Sequence, residues 1–105
     1  MRLENKVAII TGAGLGMGRE ASVLFGKEGA SVGVFDLDAV AGKETAKLVE
    51  QAGGKAHFIQ GDVSKETDVK RAVDETVRSF GKLDILYANA GVLWKDRDKS
   101  VIDTT

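Results

Sequence analysis

The stretch IITGAGLGMGRE, residues 9–20, carries glycine at positions 12, 14, 16 and 18, directly after an apolar run. Glycine concentrated there serves a backbone that must bend where side chains clash, or one that a ligand approaches closely. Where a strand gives way to a helix, the close approach has a definite chemistry. The first-turn N–H groups and the helix dipole together bind an anion such as the pyrophosphate of a dinucleotide. The general G-x-G-x-x-G spacing fails, since it would place its last glycine at Met17 counting from Gly12, or at Arg19 counting from Gly14. What fits is Thr11-Gly12-x-x-x-Gly16-x-Gly18, with Gly14 as an extra member. A flexible turn is the competing reading of any glycine-rich loop, and its place between strand and helix weakens that reading.

A second residue of the right type lies 20 positions after Gly16: Asp36, in VFDLD. An acid at that distance is expected to accept hydrogen bonds from the adenosine ribose hydroxyls and to repel a 2′-phosphate. That predicts NAD rather than NADP. The absence of Lys or Arg at positions 13–17 and 37 agrees. Alone, Asp36 also reads as an ordinary acid at a strand end. Asp38 reads as the N-cap of the following helix.

The elements that must position these residues alternate along the chain. VAII (7–10) is a continuous apolar run, as in a strand buried on both faces of a parallel sheet. Ala21, Leu24 and Phe25 give the apolar face of a first helix that closes at Gly29. ASVGVFD is a second strand. Ala41, Thr45, Leu48, Val49 and Ala52 mark a second helix, stopped by Gly53-Gly54. AHFIQGD is a third strand. Ser64 is a plausible N-cap for a third helix carrying Val69, Ala72, Val73, Thr76, Val77 and Phe80 and ending at Gly81. LDILYANA is a fourth strand, and the charged, aperiodic residues 92–105 read as loop. Strand-helix alternation of this length predicts a doubly wound α/β fold, a Rossmann-type parallel sheet with helices on both faces and right-handed crossovers. Residues 1–105 show no repeat or linker, so they are read as the N-terminal part of one dinucleotide-binding domain.

Together these features resemble the N-terminal half of a classical short-chain dehydrogenase/reductase. The resemblance rests on TGAGLGMG (11–18), FDLD (35–38), GDV (61–63) and ANAG (88–91), with GKLDILYANAG leading into the last. It implies a strand order of 3-2-1-4. It implies that Gly12, Leu15, Gly16, Met17 and Gly18 line the pyrophosphate turn, that Asp36 holds the adenine ribose and that Asp62 and Val63 flank the adenine. Asn89, Ala90 and Gly91 would lie beneath the ribose at the end of the fourth strand. Asp62 also reads as a strand-end cap, Val63 as core, and the Asn-Ala-Gly as a tight turn. The family usually has two asparagines before Ala-Gly, and the first is Ala88 here. Its amide hydrogen bonds are lost, which touches local sheet stability more than cofactor binding.

The resemblance implies hydride transfer between the nicotinamide and an alcohol or ketone carbon, with a Tyr-x-x-x-Lys pair and a Ser in charge of the substrate oxygen. None of these is present in the 105 residues. Tyr87 is followed four positions later by Gly91, and Ser100, Thr104 and Thr105 come too early in the family's pattern. The chain is therefore expected to be the cofactor half of an NAD-dependent oxidoreductase, a fragment without catalytic residues. The alternative is a non-catalytic NAD-binding or interaction module. A flavodoxin-like receiver would want acids after the first strand, where Thr11-Gly12 stands.

Bulk properties narrow the partners. Fifteen Lys and Arg against 16 Asp and Glu give a formal charge of -1, with no electrostatic reason to expect nucleic acid or an anionic membrane. No cysteine is present, so thiolate metal sites are excluded, and His57 stands without an acid cluster and reads as structural rather than as a metal ligand. No apolar run approaches the roughly 20 residues of a membrane span, which makes a cytoplasmic location the expectation. With later strands missing, the fourth becomes an edge exposing Leu83, Ile85, Leu86 and Tyr87 in part. Self-association, as a homo-oligomer, is expected.

Overall fold

Side chains that alternate across strands buried on both faces dictate two apolar layers, and the structure, a computed structural model describing residues 3–14 and 16–88, has both. The elements run β1 (Val7–Thr11), α1 (Gly16–Lys27), β2 (Ser31–Asp36), α2 (Ala39–Gln51), β3 (Lys55–Gln60), α3 (Glu66–Phe80) and β4 (Ile85–Ala88). The strands form one parallel sheet in the order β3-β2-β1-β4. On one face Ile9, Phe35, Ile59 and Leu86 meet Val69 and Ala72 of α3. On the other, Ile10, Val32 and Val34 meet Val49 of α2, with Ala21 and Phe25 of α1 packed against them. This is the expected doubly wound arrangement. Leu86, expected to be partly exposed on the edge strand, is instead buried because it packs with Ile9, Phe35 and Val69, whereas Leu83, Ile85 and Tyr87 are half-buried as expected.

Three local features differ from the sequence reading. In α1 the expected apolar residue Leu24 is 54% exposed, and the buried line is Gly18, Ser22 and Gly26. The reason is distance: a side chain on Gly18 or Gly26 would strike the backbone of Gly12 or the Val49 side chain, so α1 sits too close for large residues on that line. The N-cap of α3 is Lys65, not Ser64. The Ser64 hydroxyl donates instead to Asp62 Oδ1 at 2.7 Å, and the Ser64 N–H donates to the same oxygen at 2.9 Å. A carboxylate two residues upstream closes an Asx turn and takes the hydroxyl before the helix can use it. The fourth strand, expected from Leu83, begins at Ile85 and runs to Ala88, the last described residue. Asp38 caps α2 as expected, its Oδ1 accepting from the N–H groups of Val40 and Ala41.

His57 lies on the α3 face of the sheet. Its Nε2 is 3.1 Å from Thr76 Oγ1, and its ring meets Phe80 edge-on at 5.2 Å. Burial pushes its pKa below the ordinary value, opposed by the nearby Glu75. Among the described residues no cluster of acids, histidines or cysteines could hold a metal ion. No helix among them is long and apolar enough to cross a membrane.

Candidate functional site

Parallel strands end on the same side of the sheet, so register decides which loop tips become neighbours. Thr11 of β1 is level with Phe35 of β2, and Asp36 is level with Gln60 of β3. One step further, Gly12, Asp36 and Gly61 therefore gather at the carboxyl edge. Two backbone hydrogen bonds fasten them, from Ala13 N–H to Phe35 C=O at 3.3 Å and from Gly61 N–H to Asp36 C=O at 3.1 Å.

The glycine loop has backbone geometry that an anion cradle requires. Gly12 has φ 61° and Gly16 φ 57°, left-handed values that a side chain makes costly. Between these two reversals the chain turns out of the sheet and enters α1 at Gly16. The opening turn of a helix has N–H groups without intrahelical partners, and α1 has no acid in that turn to compete for them. Gly18 brings the helix onto the loop: a Cβ there would lie 2.0 Å from the Gly12 carbonyl oxygen. Met17 is 70% exposed at the mouth of the turn. Leu15 lies outside the described residues, as do Asn89, Ala90 and Gly91.

Asp36 is bound into this loop more tightly than its place at a strand end suggests. Its Oδ2 accepts from the Gly14 N–H at 2.7 Å, and its Oδ1 accepts from the Asp38 N–H at 2.8 Å. Each oxygen has a second lone pair, so a fixed acceptor faces the space beside the loop. The bond also corrects the reading of Gly14 as an extra glycine. A Cβ at Gly14 would come within 2.9 Å of both Ala41 Cβ and Asp36 Oδ2, so only glycine lets the loop close on the acid.

At the end of β3, the Asp62 carboxylate accepts the Ser64 hydroxyl and N–H, and these bonds hold its pKa below the usual carboxylate range. The Asp62 N–H donates to Asp68 Oδ2 at 2.9 Å. Arg71 donates to Gln60 C=O at 2.8 Å and pairs with Asp68 at 3.6 Å, so α3 braces this turn. Val63 is half-buried against the Ile9 and Phe35 cluster, so its reading as core holds for at least part of the side chain. Sequence reasoning missed Asp68, Arg71, Thr45 and Arg19 as supports of the site. An i+3 Asp–Arg pair at 68 and 71 was the visible signal for the first two.

Gly12, Gly14, Gly16, Gly18, Asp36 and Asp62 thus lie along the same carboxyl edge of the sheet. Tight turns, a close helix, and an acid aimed beside them fit a dinucleotide held by its pyrophosphate and ribose. Residues 6–105 match the family model described as short chain dehydrogenase. The chain belongs to this family. An uncharacterized oxidoreductase of Thermotoga maritima is 47% identical over 93 residues, covering 89% of this chain and 36% of that protein. The crystal structure of a hydroxysteroid dehydrogenase from Escherichia coli superposes with a TM-score of 0.82 at 41% identity, covering 87% of this chain and 39% of that one. That of a short chain dehydrogenase from Mycobacterium paratuberculosis bound to NAD gives a TM-score of 0.82 at 33% identity, covering 88% and 39%. The chain spans little more than a third of the length of these proteins.

Proposed function

We propose that this chain is the cofactor-binding part of an NAD-dependent short-chain oxidoreductase. The whole protein would pass a hydride between nicotinamide and an alcohol or ketone carbon. The observation that carries the reading is the bond from Gly14 N–H to Asp36 Oδ2, which builds the phosphate-binding loop and the ribose-binding acid into one rigid unit. In this reading the N–H groups around Gly12, Leu15, Gly16, Met17 and Gly18 hold the pyrophosphate, and Asp36 accepts the ribose hydroxyls. Asp62 and Val63 flank the adenine, and Asn89, Ala90 and Gly91 lie beneath the ribose. The bound dinucleotide supplies the hydride acceptor or donor. The chain's own residues bind and orient it, and the acid and base that act on the substrate come from outside these 105 residues. A soluble cytoplasmic homo-oligomer is the setting this reading favours.

The preference for NAD over NADP has an electrostatic origin. A 2′-phosphate placed beside the Asp36 carboxylate meets like charge, and positions 13–17 and 37 offer no Lys or Arg to offset it. Arg19, just past the loop, is committed to α2. Calorimetric titration with NAD and NADP tests this, with Asp36→Asn as the variant. Asparagine has a single carboxamide oxygen, so one of the two backbone bonds survives while the charge disappears. The expected result is tighter binding of NAD than NADP by the natural protein, with the ratio falling about tenfold or more in the variant as roughly 1.4 kcal/mol of repulsion is removed. Equal affinities in the natural protein would refute the assignment.

A further inference from the structure

The peptide groups of Gly14 are held from two directions. Its N–H donates to Asp36, and its carbonyl accepts from Thr45 Oγ1 at 3.3 Å, across 31 residues of chain. Thr45 is completely buried in α2. A buried threonine in a helix usually spends its hydroxyl on the carbonyl four residues back, here Ala41. That carbonyl instead accepts from Arg19 Nη2 at 3.2 Å, and Arg19 Nε donates to Thr45 Oγ1 at 2.9 Å. Arg19 cannot accept a proton bond, so its donation leaves the hydroxyl hydrogen of Thr45 to point at Gly14. Glu44 closes the set, its Oε1 3.2 Å from Arg19 Nη2.

We infer that Thr45, oriented by Arg19, is a positioning residue that clamps the Gly14 peptide against α2 and so pre-forms the dinucleotide loop. Gly14 stands between the two left-handed glycines, in the part of the chain with most conformational freedom to lose. A loop already ordered by the protein spares the cofactor that ordering cost when it binds. The inference rests on the reading that this site takes NAD, and it extends that reading to a residue outside the glycine motif.

Thr45→Val tests it, because valine keeps the shape and removes only the hydroxyl, and Thr45→Ser restores the hydroxyl. Binding of NAD and of adenosine is followed in the whole protein by NMR titration, together with hydrogen exchange at the Gly14 amide. Adenosine has no pyrophosphate and does not need the loop. The expected result is that Thr45→Val speeds exchange at Gly14 and weakens NAD about three- to tenfold, the worth of one buried hydrogen bond, with adenosine unchanged and Thr45→Ser close to the natural protein. Unchanged exchange at Gly14, or NAD and adenosine weakened by the same factor, would overturn it. Failure of the natural protein to bind NAD would instead strike the proposed function, and the role of the clamp in binding would fall with it. Gly14 exchange still reports separately whether the clamp exists.

Discussion

Gly18→Ala is the sharpest test of how the loop is built. A Cβ at this position would lie 2.0 Å from the Gly12 carbonyl oxygen, 2.8 Å from the Gly12 carbonyl carbon and 3.0 Å from Ala13 Cα. A carbon and a carbonyl oxygen rest at roughly 3.3 Å or more, so the first turn of α1 must withdraw by more than about 1 Å. All three obstructing atoms are main chain, so no rotamer change absorbs the clash. Overpacking of this kind costs about 1–3 kcal/mol, and the upper end is expected here. Against a total stability on the order of 5–15 kcal/mol that is a large fraction.

The same displacement carries the first-turn N–H groups away from the proposed pyrophosphate position, and a lost hydrogen bond to a charged group, about 1.5–3 kcal/mol, weakens binding roughly ten- to hundredfold. Gly16→Ala is the control with opposite physics. Nothing lies within 4 Å of its added Cβ, and only the left-handed φ of +57° resists, at roughly 1–2 kcal/mol. Urea unfolding followed by circular dichroism, with calorimetric NAD binding, reads both effects. Gly18→Ala should lose more stability than Gly16→Ala and at least tenfold more affinity. A Gly18→Ala protein with unaltered midpoint and affinity, or one less damaged than Gly16→Ala, would refute the reasoning.

Two further outcomes follow from the titratable groups. Burial holds the His57 pKa below 6.5, so the unfolded chain binds the proton more readily, and stability should fall as pH drops from about 6.5 toward the depressed value. Urea midpoints at pH 7.5 and 5.5 should show that fall and lose it in His57→Gln; a flat natural profile would count against the buried imidazole. Asp84 ties the start of β4 to β1, its Oδ2 accepting from the Val7 N–H at 2.9 Å and from Lys82 at 3.3 Å, and these bonds lower its pKa. Asp84→Ala should therefore lower the urea midpoint and speed exchange at the Val7 amide, an effect the natural protein reproduces as acid protonates Asp84 through its depressed pKa; unchanged Val7 exchange would exclude this tie.

The three strand-helix repeats were legible because strands buried on both faces read as apolar runs, and α2 and α3 turn larger side chains toward the sheet. The face of α1 was not legible, since its contacts are made by Gly18, Ser22 and Gly26, which hydrophobic periodicity does not register. The same limit explains the glycine loop. Spacing identified Gly12, Gly16 and Gly18, whereas the need for Gly14 depends on Asp36 and Ala41, 22 and 27 residues further along the chain. Ser64 was misplaced for a related reason. Cap propensity is local, and it ignored the competing acceptor at Asp62.

Long-range bonds of this kind also say why the site needs the fold rather than the motif. A Thr-Gly-x-x-x-Gly-x-Gly loop alone has glycines enough to populate many conformations, and ordering it on a ligand would consume binding free energy. In the folded chain, β1 and β2 fix where Gly12 and Asp36 emerge, and Asp36 fixes Gly14 through its N–H. Thr45 then holds the Gly14 carbonyl from α2, and Arg19 returns the restraint to α1, closing a ring from loop to α2 and back to the helix that the loop begins. The elements that supply Asp36 and the loop supports are thus held by the same bonds that shape the glycine turn. A substitution that frees the Gly14 carbonyl from Thr45 should therefore loosen the glycine turn while Asp36, still held by β2 and the Asp38 N–H, keeps its place.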